Sequence, residues 1–207
     1  MLNKLMNAAY DRRDVDFRGT QAREVRAVNG SILRKYDCIM TSNLMEIERE
    51  LAHLENDNEK PVGFDTEGGK VYGRGRTDNV ALIQIADEDE KMVVLIRTHE
   101  MPNDQFQQLR QLLGRFGQKR TLATCDRESI LNGLDDIRVV DVQKICEPFG
   151  LSLVKMAKEV DITMDKAETM SNWSVDVLRG DQLDYAGLDA IVLPIIYTHR
   201  MRYRRQH

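Results

Sequence analysis

Residues 62–69 read VGFDTEGG. Pro61 interrupts what precedes them, and 62–66 has the apolar composition of a strand. Side chains alternate faces along a strand, so Asp65 and Glu67 project together while Phe64 and Thr66 face the other way. Carboxylates held side by side repel unless a cation lies between them. Hard divalent ions such as Mg²⁺ and Mn²⁺ take oxygen ligands, which such a pair supplies. Gly68 and Gly69 place the two acids at the C-terminal end of the strand, where α/β proteins build their sites. The same spacing occurs in strands that run into a solvated turn, so the pair alone leaves both readings open.

The flanking sequence sets this strand in an α/β pattern. Upstream, 38–40 is a short strand, and Thr41 or Ser42 caps a helix whose apolar positions Leu44, Ile47, Leu51 and Leu54 recur at helical spacing. Downstream, GGKVYGRGRTDN at 68–79 is a glycine-rich loop or hairpin tip. Strands follow at 80–86 and 92–96, joined by a charged turn. Then come a helix over 102–116, a strand at 121–124, a short helix to 134 and a strand at 139–140. After Asp141 the pattern is helical, with segments at 142–149, 151–160 and 180–203 set off by Gly150, a polar linker and Gly180. The order predicts a three-layer α/β domain over 36–207, with a mixed, mostly five-stranded sheet flanked by helices and a basic C-terminal helix end. Residues 1–35 are polar, lack a clean period and read as an N-terminal extension, partly ordered at most.

The 207 residues, 42% hydrophobic and 31% charged, describe a globular protein with a real core. No stretch approaches the roughly 18–20 apolar residues of a membrane-crossing helix, and no apolar run precedes the first charges. The three cysteines, Cys38, Cys125 and Cys146, are widely spaced and contain no CxxC, which argues against a disulfide framework or a zinc site. A reducing compartment, cytoplasm or nucleus, is expected. The net charge of −4 is uneven: residues 1–36 and 198–207 each carry +4, leaving −12 between them. An acidic body with basic ends fits either a solvated surface or clustered acids that hold metal beside ends that touch phosphate.

Two further constellations carry chemistry. Tyr185 and Asp189 stand at i and i+4 on the last helix, so phenol and carboxylate share one face. Surface pairs have this spacing too, but the apolar residues Leu183, Ala186, Ala190 and Leu193 bury much of the same helix. Asp126, in CDRESIL, follows a short strand and opens a helix, where an ordinary N-cap is the plainer local reading.

Taken together, VGFDTEGG, VALIQIAD, VVDVQKIC and SNWSVDVLRGDQLDYAGLDAIVLPIIY resemble, in order and spacing, the successive motifs of the RNase D-type (DEDDy) 3′–5′ exonucleases. That family includes the Werner-syndrome exonuclease domain and the nuclease-like domain of Egalitarian. The resemblance covers about residues 37–200. It implies an RNase H-like fold, four acidic residues and two divalent metal ions, Mg²⁺ or Mn²⁺. Position by position, Asp65 and Glu67 match the first motif as metal ligands. Tyr185 and Asp189 match the last, as water-orienting phenol and metal ligand. The tyrosine subclass is implied, since the histidine subclass would need His where Asp184 stands. The middle acid is matched best by Asp126, with Ile130 and Leu131 at the family's offsets behind it. Glu128 is the alternative, because TLATC lacks the family's Asn and CDRES also fits a Cys-x-x-acid-Ser pattern of the Egalitarian-like branch.

The chemistry implied is two-metal hydrolysis, with ions ~3.5–4 Å apart flanking the scissile phosphate. Single-stranded RNA or DNA, RNA favoured, would be shortened from its 3′ end to nucleoside 5′-monophosphates. Lys70, Arg74 and Arg76 in the glycine-rich loop are candidates for phosphate contacts, with plain surface charge as the other reading. Trp173 lies in a segment that is mainly structural in the family, and base stacking is its other reading. The alternative function is an exonuclease-like domain with weak or no turnover that serves RNA metabolism as an RNA-binding or protein scaffold, motivated by the irregular second motif. The N-terminal extension and the basic C-terminus are where a protein partner would dock.

Overall fold

A computed structural model of the chain describes residues 25–27, 33–55, 60–69, 79–99, 101–145, 147–164 and 168–206. The strands are β1 (Val25–Ala27), β2 (Asp37–Thr41), β3 (Val62–Gly68), β4 (Val80–Asp87), β5 (Met92–Arg97), β6 (Leu122–Thr124) and β7 (Val139–Asp141). The α-helices are α1 (Leu44–Leu54), α2 (Asn103–Lys119), α3 (Leu153–Lys158) and α4 (Gly180–Gln206). One sheet runs β1-β2-β5-β4-β3-β6-β7. β4 pairs antiparallel with both β3 and β5, while β2–β5, β3–β6 and β6–β7 are parallel.

β4 and β5 are buried along their whole length, which is why their sequences are near-continuous apolar runs rather than alternating ones. One face of the sheet packs on α1 and α2: Ile47, Leu51, Phe106, Leu109, Leu113 and Phe116 meet Val62, Phe64, Ile83, Ile85 and Val94. On the other face Leu82, Val93 and Leu95 cluster with Leu183, Ala186, Ala190 and Ile191 of α4. A third cluster joins Ala123 of β6, Met156 of α3 and Val192, Leu193 and Ile196 of α4. These are the three layers that the α/β pattern predicts. Among the described residues no helix is long and apolar enough to cross a membrane.

The structure departs from expectation in three places. The sheet has seven strands rather than five, because three-residue strands close both edges. One of them, β1, comes from the expected extension and runs antiparallel to β2. Asn43, not Thr41 or Ser42, caps α1, its side chain accepting from Met45 and Glu46 N–H. Thr41 is still in β2, and its hydroxyl accepts from Asn43 N–H. The helices expected after Asp126 and over 142–149 are single 3₁₀ turns, Ser129–Leu131 and Val142–Lys144. The first ends at Asn132 in extended backbone, with Gly133 beyond it at φ 74°, a left-handed conformation that glycine tolerates.

Gly63 sets the distance between β3 and α4. A Cβ there would lie 1.9 Å from the Ala190 carbonyl oxygen and 2.9 Å from Pro194 Cδ. Pro194 has no N–H to give to the carbonyl four residues back, so the Ala190 oxygen is left facing the strand. Only a glycine lets helix and strand approach this closely.

Candidate active site

That approach brings the acids together. β3 supplies Asp65 and Glu67, and α4 supplies Asp189. Oxygens from the three carboxylates lie within 4.8 Å of one another. Asp65 accepts from the Thr66 N–H at 3.0 Å. The Thr66 hydroxyl, on the opposite side of the strand, donates to Glu128, and Glu128 also hydrogen-bonds Asp65. Burial, then the charge of its acidic neighbours Asp65, Asp189 and Glu128, pushes Glu67 up to about 9. Asp65 is raised by burial and Asp189, and Glu128 by burial and Asp65.

Of the two candidates for the middle acid, the structure sets Glu128 beside Asp65. Asp126 is exposed and sits at φ 83°, a left-handed conformation uncommon outside glycine. Its carboxylate accepts from Arg127 N–H at 2.8 Å and its own N–H faces Asp141. It does not cap a helix, and Glu128 precedes the 3₁₀ turn instead.

Tyr185 and Asp189 share one face of α4. The Tyr185 hydroxyl bonds the Thr169 hydroxyl at 2.9 Å. Burial and then the Asp189 charge raise the phenol above its ordinary value, so it stays neutral. Trp173 is only 1% exposed and its ring lies 6.1 Å from Tyr185, so it packs the site from within and offers no face to a base. Lys70, Arg74 and Arg76 lie outside the described residues. The basic C-terminus is smaller than its sequence: Arg200 is buried and paired with Glu159 at 3.1 Å, leaving Arg202, Arg204 and Arg205 exposed.

Two residues at the site are not among the candidates that the sequence offers. Thr169 shows no signal, since a lone threonine in a polar linker is unremarkable. Gln84 does: it is the one polar residue in the apolar run VALIQIA, and it pairs across the sheet with Asp65.

An all-oxygen donor set at the end of a central strand suits a hard divalent cation. The raised carboxylates agree with this, since a cation would offset both the burial and the mutual repulsion that push them up. The residues present therefore fit such an ion.

A profile of the 3′–5′ exonuclease family matches residues 40–202. No curated protein sequence matches the chain. Among solved structures it resembles the EXO domain of Aedes aegypti Nibbler, with TM-score 0.64 and 17% identity over 89% of this chain and 93% of that one. It also resembles Escherichia coli RNase D, described as an exoribonuclease involved in structured RNA processing, with TM-score 0.62 and 17% identity over 81% of this chain and 45% of that one. Trypanosoma brucei RNase D, solved with the RNA U12, gives TM-score 0.62 and 16% identity over 81% of this chain and 63% of that one. The chain thus spans less than two thirds of either RNase D. The likeness establishes a shared RNase H-like fold. The profile match runs from the end of β2 into the last turns of α4, through every element that carries an acid of the cluster, and the chain belongs to the 3′–5′ exonuclease family.

Proposed function

We propose that the chain is a metal-dependent 3′–5′ exonuclease of the tyrosine subclass, acting on single-stranded nucleic acid, RNA favoured, and releasing nucleoside 5′-monophosphates. The observation that carries this reading is the convergence of Asp65 and Glu67 with Asp189 from a distant helix. Together with Glu128 they would hold the cations. Two Mg²⁺ or Mn²⁺ ions, when bound, supply an activated water and stabilise charge on the departing 3′ oxygen. Tyr185 stays a neutral phenol, so its part is to orient the attacking water by a hydrogen bond rather than to take its proton. Thr169 fixes the direction of that hydroxyl. Lys70, Arg74 and Arg76 are assigned the phosphates of the incoming strand. RNA is favoured because RNase D of both organisms is described with RNA.

The test uses 5′-labelled single-stranded RNA and DNA with Mn²⁺, with Mg²⁺ and with chelator, wild type beside Asp65→Ala. A metal-dependent ladder shortening from the 3′ end, absent in the variant, is the expected result. RNA binding without cleavage in either metal would overturn it in favour of a scaffold.

A further inference from the structure

Gln84 lies in the middle of β4, 0% exposed, between β3 and β5. Neither its amide nitrogen nor its amide oxygen has a hydrogen-bond partner among the described residues. A buried amide left in this state opposes folding, and a leucine or methionine would fill the same place without that cost. Such a group calls for a reason.

Its surroundings supply one. Gln84 stands directly across from Asp65 in the antiparallel register. Directly opposed residues put their side chains on the same face of a sheet, so the amide points to the acidic side. It lies against the Glu67 carboxylate without closing a well-formed bond. The other acids already have donors: Asp65 has the Thr66 N–H and Glu128 has the Thr66 hydroxyl. Among the described residues Glu67 has no well-formed donor, and Gln84 is the donor within its reach. Carboxylates that ligate metal are characteristically held by such partners through the oxygen that the metal does not take.

We propose that Gln84 is a positioning residue of the cation site. Its Nε2 donates to Glu67 and holds that carboxylate aimed at the space shared with Asp65 and Asp189. The inference rests on the metal reading proposed above.

The experiment is calorimetric titration of Mn²⁺ into the full chain as wild type, Gln84→Met, Gln84→Leu and Asp189→Asn, with the melting temperature of each metal-free protein alongside. The two apolar variants should bind Mn²⁺ about 10–100-fold more weakly, the usual cost of removing a partner of a ligating group. Their metal-free melting temperatures should equal or exceed wild type, because the unpartnered amide is gone. Turnover of labelled RNA should return when Mn²⁺ is raised to saturate the weakened site. A Gln84→Met or Gln84→Leu affinity within twofold of wild type overturns the proposal, as does a lowered melting temperature with unchanged affinity, which would make Gln84 a packing residue. If the wild type takes up no Mn²⁺, or Asp189→Asn binds it as well as wild type does, the metal reading itself fails and takes this inference with it.

Discussion

Asp126 and Glu128 are two positions apart, and the backbone between them gives their side chains different neighbours. At φ 83° Asp126 leaves the strand in a left-handed turn and its carboxylate stays with local N–H groups. The turn carries Glu128 back to Thr66 and Asp65. Glu128→Gln should therefore lower Mn²⁺-dependent cleavage by at least about 100-fold, the upper end of what even a partner outside the ligand shell costs. Asp126→Asn should stay within a few-fold of wild type. The reverse pattern in a single-turnover assay would return the middle acid to Asp126. The sequence shows an acidic residue after a short strand, but a lone positive φ on an aspartate has no composition signal, so the different surroundings of the two acids are legible only in three dimensions. Thr169 is a similar case. Thr169→Val removes one neutral hydrogen bond from Tyr185, worth about 1 kcal/mol, which corresponds to a roughly 3–10-fold fall in kcat. KM should hardly move, and Thr169→Ser should restore kcat. A KM effect alone would mean that Thr169 contacts substrate instead.

At the scale of elements, the site depends on how closely α4 approaches β3. Gly63→Ala forces a methyl group into the Ala190 carbonyl, and overpacking of this kind typically costs about 1–3 kcal/mol. The urea midpoint should fall accordingly, and Mn²⁺ affinity should fall with it, since the displaced helix carries Asp189. Gly114→Ala is the matched control. Its Cβ would meet only Leu134 Cδ2 at 3.6 Å, an ordinary contact, and in a helix the change should stabilise by about 0.5–1 kcal/mol. Equal destabilisation by both would mean that the β3–α4 approach is not special. The long elements, β4, β5, α2 and α4, are readable from sequence because burial on both faces or a sustained helical period leaves a clear pattern. The 3₁₀ turns are not. Ile130 and Leu131 are buried and look like the start of a helix, but the chain turns away at Asn132 and Gly133 before a second turn can form. β1 is illegible for a related reason: three residues cannot show a period, and their strand state follows from the open edge of β2.

For the whole molecule, the acid cluster couples folding to pH, and under the proposed function it would couple folding to metal in the opposite sense. An unfolded chain gives Glu67 its ordinary value of 4.5, and the fold raises it to about 9. Between those limits the folded state holds a proton that the unfolded state has released. Stability conferred at low pH is therefore lost as pH climbs from about 4.5 through about 9. Asp65 and Glu128 are raised as well and add to the same slope. A divalent cation held by the deprotonated acids would stabilise the folded state most where the metal-free protein is weakest. At 100 times Kd a ligand adds about 2.7 kcal/mol, and because Kd itself improves as the acids lose their protons, a fixed Mn²⁺ concentration adds more at higher pH. Melting curves from pH 5 to pH 9, with Mn²⁺ and with chelator, should show the two conditions diverging as pH rises. Glu67→Gln isolates the cause. It should flatten the metal-free curve, raise the melting temperature near pH 8, and narrow the gap that Mn²⁺ opens. A metal-free wild type no more pH-dependent than Glu67→Gln, or a Mn²⁺ shift equal at every pH, would show that these carboxylates are neither strained nor joined by a cation.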